Sequence, residues 1–386
     1  MSENLVPPRL AVIWMDWYAY HIARLQGLLS VPQFADSVVG IELVGGVGFY
    51  PGLNFREQAR KQLPIHTLLP DCSWHEAGQL RLARLLWARL NLLKPAAVMV
   101  PGYATLPALA AALWARVHGK TSILMTESTA YDHERVGWKE LIKAKLLRLL
   151  FDVAVTGGTA HRRYLERLGF PKDKVARYYD VVDNSTLAQE TLDLRRFGAG
   201  LFGLPLRPYF LYVGRMAPEK NVEGLLKAWI AYRAEGGDWP LVLVGDGSAL
   251  PELRIMAAKS QYGSEVHFAG MKTSHDLPAY YAFAGCFVLP STREPWGLVV
   301  NEAMASSLPV LVSSRCGSAE DLVEEGKNGF TFDPHSQELK ARLRQIASFS
   351  EKELRAMGIR SSEIIAAYSP QNFGFEVESI LQLAGA

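Results

Sequence analysis

Nowhere in its 386 residues does the chain contain Asp-x-Asp. Paired aspartates are a common way to hold a divalent cation, so their absence argues against a metal held in that manner. Cysteine is almost as scarce: Cys72, Cys286 and Cys316 lie far apart, with neither metal-ligand nor redox spacing. No bound metal and no cofactor are expected, and a reducing compartment fits this usage. Cys286 sits in an apolar strand pattern and reads as a small hydrophobe. No apolar run approaches the ~20 residues that span a bilayer. The start, Met1-Ser2-Glu3-Asn4-Leu5, lacks the basic region and apolar core of a secretion signal. The expected location is therefore cytoplasmic, with any membrane contact peripheral, at the inner face. A formal net charge of +2 gives no reason to expect nucleic acid as a partner. Internal repeats and low-complexity segments are absent as well.

What is present describes a folded protein of two domains. Hydrophobic residues make up 49% and charged residues 21%, and the length exceeds what one ordinary core accommodates. The charge is unevenly spread. Residues 1–180 hold 22 lysines and arginines against 15 acids, whereas the remainder holds 19 against 24. A basic first half suits anionic lipid or an acidic acceptor, and is equally the mark of an uneven surface.

Short β-branched runs alternate with helical patterns, which predicts parallel sheets with helical crossovers. The first half has strand patterns at 10–15, 38–43, 97–101, 122–126 and 153–156. The second has them at 209–213, 241–244, 266–268, 286–289 and 309–312. Helical patterns fall at 106–117, 138–151, 222–234 and 351–367. The fold class expected is α/β, with two Rossmann-like doubly wound domains facing a central cleft. Their boundaries are 1–184 for the first, joined by a final helix over 369–386, a linker at 185–207, and 208–368 for the second.

The most informative stretch runs from Ser291 to Ala305. After the strand at 286–289 it turns through a polar loop holding Glu294, Pro295 and Gly297, then becomes helical. Open α/β sheets bind ligands outside the carboxyl ends of their strands. A helix starting near Gly297 or Leu298 offers unpaired N–H groups to an anion. Glu294 precedes that start, and Glu302 lies about one turn inside, ~6 Å along the axis. Two acceptors flanking an anion site suit a nucleotide sugar, with its phosphates between two hydroxyl-bearing rings. Two solvated helix charges would share the same spacing.

Other loops add to this. After strand 209–213 come Gly214 and Arg215, then Lys220 near the next helix. Their cations can neutralise a diphosphate without a metal, the arginine as a fork and the lysine as a point charge; a surface basic pair is the plainer reading. Gly245-Asp246-Gly247-Ser248 resembles half of a dinucleotide loop, or is an ordinary turn. Gly270 and Met271 follow another strand and offer backbone groups and apolar surface to a flat base.

Taken in order, these segments resemble the retaining glycosyltransferases of family four (glycosyl transferases group 1), which have the GT-B architecture. The matching text is Val213-Gly214-Arg215…Glu219-Lys220-Asn221, Val244-Gly245-Asp246-Gly247, Phe268-Ala269-Gly270, Glu294-Pro295-Trp296-Gly297-Leu298-Val299-Val300-Asn301-Glu302 and Gly326-Lys327-Asn328-Gly329. Asp183 is similar to the aspartate that the family places before its linker. The resemblance implies a metal-independent enzyme that moves a sugar from a nucleotide diphosphate to a hydroxyl of a saccharide or lipid-linked glycan. Under it, Glu294 binds donor-sugar hydroxyls, helped by backbone N–H groups at Trp296, Gly297 and Leu298, with Val299 adjoining. Glu302 accepts from the ribose, while Arg215 and Lys220 stabilise the leaving diphosphate. Two alternatives share the architecture: a nucleotide-sugar epimerase, and a non-catalytic nucleotide-sugar-binding subunit.

The first half departs from the family pattern. Its first strand ends in Met15-Asp16-Trp17-Tyr18 where many relatives have a Gly-Gly loop, and Gly45-Gly46 comes too late to replace it. Asp16 and Trp17 form either an acceptor platform or ordinary core. Glu127 stands where relatives often have a histidine, and Tyr103 joins it if both line the cleft. The segment Trp138–Phe151 is basic and amphipathic, which suits either an anionic membrane surface or a crossover helix with a solvated face.

Overall fold

A computed structural model describes residues 9–46, 62–131 and 135–385. The chain divides into two compact units, Met1–Val182 with Ser369–Ala386, and Asp183–Tyr368.

The first unit carries β1 (Leu10–Trp14), α1 (Ala19–Leu29), β2 (Val38–Val44), β3 (Ile65–Leu69), α2 (Trp74–Ala77), α3 (Gln79–Leu93) and β4 (Ala97–Pro101). It continues with α4 (Leu106–Val117), β5 (Thr121–Thr126), α5 (Gly137–Leu150), β6 (Val153–Thr156), α6 (Thr159–Arg167) and β7 (Val175–Ala176). These strands form one sheet in the order β3-β2-β1-β4-β5-β6-β7. Every pairing in it is parallel, with Leu10 opposite both Val38 and Ala97. A sheet covered by helices on both faces needs near-continuous apolar strands, and β1 and β2 are buried along their whole length.

The second unit carries α7 (Asn184–Leu194), β8 (Phe210–Val213), α8 (Val222–Ala234), β9 (Leu241–Val244), α9 (Leu250–Lys259), β10 (Val266–Gly270) and α10 (Leu277–Phe283). Then follow β11 (Cys286–Leu289), α11 (Leu298–Ala305), β12 (Val310–Ser313), α12 (Ala319–Leu322), β13 (Gly329–Phe332), α13 (Glu338–Ala347) and α14 (Glu351–Ile365). Its sheet runs β10-β9-β8-β11-β12-β13, again parallel throughout. In both sheets the strand order reverses beside the first strand. The crevice outside that reversal is where such sheets bind ligands. It falls between β1 and β4 in one unit and between β8 and β11 in the other.

The last helix, α15 (Pro370–Leu383), returns to the first unit. It packs on α1, with Phe373 and Val377 fully buried and Phe373 edge-on to Tyr179.

The segment expected as a linker, 185–207, falls within the second unit, and its first part lies in the helix α7. Asp183 caps α7, accepting from Thr186 N at 3.1 Å, and these local hydrogen bonds hold its carboxyl below the ordinary aspartate range despite partial burial. Thr191 is buried, and Arg195 donates to the carbonyls of Ala282 (2.9 Å) and Ser306 (2.6 Å), fastening α7 beside α10 and α11. Three strands also lie beyond the sequence expectation: β3, β7 and β13. All three are edge strands, where one side is unpaired and the apolar run can be short or interrupted.

Candidate functional site

In the second unit the loops after β8 and β11 meet at the strand-order reversal. Thr292 N donates to the Glu219 carbonyl at 2.9 Å, and Asn221 Nδ2 donates to the Pro290 carbonyl at 3.1 Å. Asn221 takes a left-handed backbone (φ 52°), a conformation that asparagine tolerates better than most residues. It ends the short turn Pro218–Lys220 and starts α8, which fixes where Lys220 points.

Lys220 Nζ donates to Glu294 Oε2. Both side chains are mostly buried, at 17% and 9% exposure. Ser291 Oγ, fully buried, donates to the same carboxylate oxygen at 3.1 Å. The backbone around Glu294 is pinned from the far side, where Gly317 N donates to its carbonyl at 3.0 Å. Cys316 beside it is buried, and desolvation, reinforced by the Glu294 charge, drives its thiol well above the usual range. That thiol stays protonated and takes no nucleophilic role.

Helix α11 begins immediately after this pair. Gly297 precedes it with φ 92°, a left-handed conformation, and a Cβ there would lie 2.8 Å from Leu289 Cδ2. Only glycine suits both constraints. In the first turn, the N–H groups of Leu298 and Val299 have no carbonyl four residues back within the helix. Along the chain they fall between Glu294 and Glu302. Glu302 is buried to 8% exposure and accepts from Tyr281 Oη at 2.6 Å.

Trp296 is fully buried, with Nε1 donating to Asn301 Oδ1 at 2.9 Å and its ring against Tyr368. Its indole is packing that braces the loop. Arg215 behaves differently from Lys220: its side chain is 59% exposed and pairs with Glu219 at 3.2 Å. It stands on the same loop as Lys220 without joining the Glu294 pair.

The glycines serve the backbone. Gly214 N donates to the Val244 carbonyl at 3.0 Å, and Gly245 N to the Gly270 carbonyl at 2.9 Å, so the loops after β8, β9 and β10 are laced together. Gly245 (φ 130°) passes so near Gly214 that a Cβ would collide with its carbonyl oxygen. Met271, just beyond Gly270, is 62% exposed and offers open apolar surface.

In the first unit the structure separates the four candidate residues. Trp17 is core: it is 2% exposed, packs edge-on to Trp14 at 4.7 Å, and its backbone N–H donates to Glu42 Oε1 at 3.3 Å. Of the two readings of Trp17, platform or core, the structure favours core, with its ring against Gly40 of β2. Asp16 is nearly as buried and accepts from Tyr18 Oη at 2.7 Å. Tyr103 and Glu127 stay half-buried just past β4 and β5, Tyr103 Oη lying 3.3 Å from Ser128 Oγ.

Beneath them lies a polar knot with no sequence signature. Arg24 Nη2 donates to Asp180 Oδ1 at 3.0 Å, and the guanidinium stacks 3.9 Å from the Tyr179 ring centre. Burial, then the neighbouring Arg24 charge, hold the His21 imidazole down at about 3, so it is neutral at physiological pH. Burial, then the nearby Glu127 carboxylate, push Asp180 well above the usual aspartate range.

Among the described residues no three His, Cys, Asp or Glu side chains are grouped to hold a metal. The model for the family "Glycosyl transferases group 1" matches residues 205–362. Those residues are a glycosyl transferases group 1 domain. The domain takes in the Lys220–Glu294 pair, α11 and Glu302. Alpha-D-kanosaminyltransferase of Streptomyces kanamyceticus is 33% identical over 133 residues, 34% of each chain. Sulfoquinovosyl transferase SQD2 of Arabidopsis thaliana is 37% identical over 34% of this chain and 25% of its own. The GDP-mannose-dependent alpha-(1-6)-phosphatidylinositol monomannoside mannosyltransferase of Mycolicibacterium smegmatis is 30% identical over 53% of this chain and 56% of its own. These alignments thus take in between a quarter and just over half of the relatives' length. Solved structures extend the likeness in fold to the whole chain. Anabaena HepE in complex with UDP superposes with a TM-score of 0.73 at 16% identity, over 97% of this chain and 99% of its own. Sucrose-phosphate synthase of Thermosynechococcus elongatus gives 0.72 at 16% identity, over 97% and 98%. The two Rossmann-like units are those of the GT-B fold.

Proposed function

We propose that the protein is a retaining, metal-independent glycosyltransferase that moves a sugar from a nucleotide diphosphate donor to a hydroxyl of a saccharide or lipid-linked glycan. The observation that carries this reading is the buried Lys220–Glu294 pair at the mouth of α11, with Glu302 one turn further in. An ammonium has three donors, and Glu294 takes one, leaving two for the diphosphate. Lys220 and the first turn of α11 stabilise the charge that grows on the departing phosphate. Glu294 accepts from sugar hydroxyls and Glu302 from the ribose. In the step itself the bond from anomeric carbon to phosphate oxygen breaks, and the acceptor oxygen bonds to that carbon from the same face. The acceptor's proton passes to the leaving phosphate oxygen. No carboxylate nucleophile is needed, and the absence of Asp-x-Asp from the sequence supports charge neutralisation by Lys220, with Arg215 within the same loop. The mycobacterial relative is named for a phosphatidylinositol monomannoside, which supports a lipid-linked acceptor. A cytoplasmic enzyme in peripheral contact with the membrane fits such a substrate.

The test is a panel of nucleotide sugars, with and without acceptors, read by donor consumption and by NMR of the product's anomeric carbon. Retained configuration, unchanged by a chelator and lost in Glu294→Ala, is the expected result. An inverted product contradicts retention, and chelator-sensitive turnover contradicts metal independence. Epimerised donor without acceptor favours the epimerase alternative, and tight donor binding without turnover a binding subunit.

Tyr281 is a positioning residue under this reading. Tyr281→Phe removes a hydrogen bond to a carboxylate, so nucleoside diphosphate affinity should fall about tenfold by calorimetry. The kcat of saturated enzyme should change little. Unaltered affinity would mean that Glu302 holds its place without the tyrosine.

A further inference from the structure

The helix α5 is apolar on two sides. Its inner side buries Leu147 and Leu150 beside the half-buried Glu140 and Lys143, and its outer side carries four further hydrophobes in solvent. Trp138, Leu141, Ile142 and Leu149 fall on one stripe, within about 100° of arc at 100° per residue, and are 61%, 68%, 58% and 60% exposed. On the opposite side Glu140 Oε2 accepts from Tyr164 Oη at 2.7 Å, and Lys143 donates to the same hydroxyl and lies 5.0 Å from the Tyr103 ring centre. The helix's single acid is therefore turned inward, where Arg135 and Lys143 both pair with it at 3.7 Å. An ordinary crossover helix buries one apolar stripe and leaves its other face polar.

Three cations complete the outer face. Lys145 lies in the stripe, and the exposed Lys139 and Arg148 flank it. Val136, just before the helix, is exposed as well. Among the described residues no helix is long and apolar enough to cross a membrane.

We propose that this face of α5 docks the protein on the surface of an anionic phospholipid bilayer, an inference that gives the peripheral contact named above its surface and its partner. The four hydrophobes enter the interface to a side chain's depth, and the lysines and arginine meet lipid phosphates. A protein partner would be satisfied by the apolar stripe alone. Cations within and beside the stripe, with no outward acid on the helix, match an anionic lipid surface instead. The net positive charge of residues 1–180 acts in the same direction.

The test is co-sedimentation of the full chain with vesicles of phosphatidylcholine alone or mixed with phosphatidylglycerol. Binding at least tenfold stronger to the mixed vesicles, and weakening as salt rises, is expected. Leu141→Asp with Ile142→Asp should lower it at least tenfold with an unchanged thermal melt, since both residues are exposed. Lys139→Glu with Lys145→Glu should lower it by more than about twentyfold. Equal partition into both vesicles, or wild-type binding by the aspartate variant, overturns the proposal. So does concentration-dependent dimerisation through this face in place of vesicle binding. Turnover with a water-soluble acceptor and no vesicles is measured alongside. Its loss would defeat the catalytic reading and leave docking standing, and failure to bind vesicles with turnover intact would do the opposite.

Discussion

Replacing Lys220 with methionine should lower the rate of sugar transfer by about 10²–10³-fold, the effect of removing one preorganised charge from a leaving group. The side chain contributes in two ways. Its ammonium is held in place by Glu294, itself fixed by Ser291 and by the backbone bond from Gly317. It also compensates a carboxylate that is almost entirely withdrawn from water. Methionine keeps most of the volume and removes the charge, so Lys220→Met leaves Glu294 without its partner and should destabilise the second unit as well. Adding Glu294→Gln removes that orphaned charge. Stability should then recover in part while transfer stays lost, a non-additive pattern typical of residues in direct contact. Steady-state kinetics and thermal melts on both single variants and the double variant decide the matter. A rate within about threefold of wild type for Lys220→Met would remove the lysine from the mechanism.

Both members of this pair are legible in the sequence because they sit in short segments that follow strong strand patterns. The end of a parallel strand at a strand-order reversal is a position with a known use. Sequence places Arg215 and Lys220 on the same loop but does not say which turns inward. That choice is made by Asn221, whose left-handed backbone and bond to Pro290 aim the turn. Glu302 is legible as one turn inside a helix. Its partner Tyr281 is not, because it arrives from α10, 21 residues earlier, with no motif around it. Trp17 shows the opposite failure. An aromatic cluster after a strand serves equally as binding platform or as core, and only the approach of Gly40 and Trp14 settles which. In α7 a run of threonine, glutamine and glutamate hides a helix whose anchors, Asn184 and Arg195, are polar and bind backbone carbonyls of other segments. Hydrophobic periodicity is blind to that kind of attachment.

The knot around Arg24 is the furthest from sequence reach, and its disruption should have the largest effect on stability. Arg24→Met should cost about 3–5 kcal/mol, the range for breaking a buried ion pair on one side. For a unit of this size that is a fall in melting temperature on the order of 10 °C. Arg24 is 2% and Asp180 0% exposed, so water cannot replace the lost partner. The loss should depend on pH in a definite direction. Burial and Glu127 already raise Asp180 above its ordinary value, while Arg24 opposes that rise. The folded state thus keeps this proton at pH values where the unfolded chain has released it. Stability from this group therefore falls as pH climbs from the ordinary 3.8 towards the raised folded value. Without Arg24 the folded value rises further, so the deficit of Arg24→Met should be smallest in mild acid and grow towards neutrality. Asp180→Asn in the same chain removes the titrating group and should flatten that dependence, restoring part of the stability at pH 7. Urea unfolding of the three variants across the acid-to-neutral range measures both effects. A deficit independent of pH would mean that Arg24 acts through its packing on Tyr179 and not through its charge.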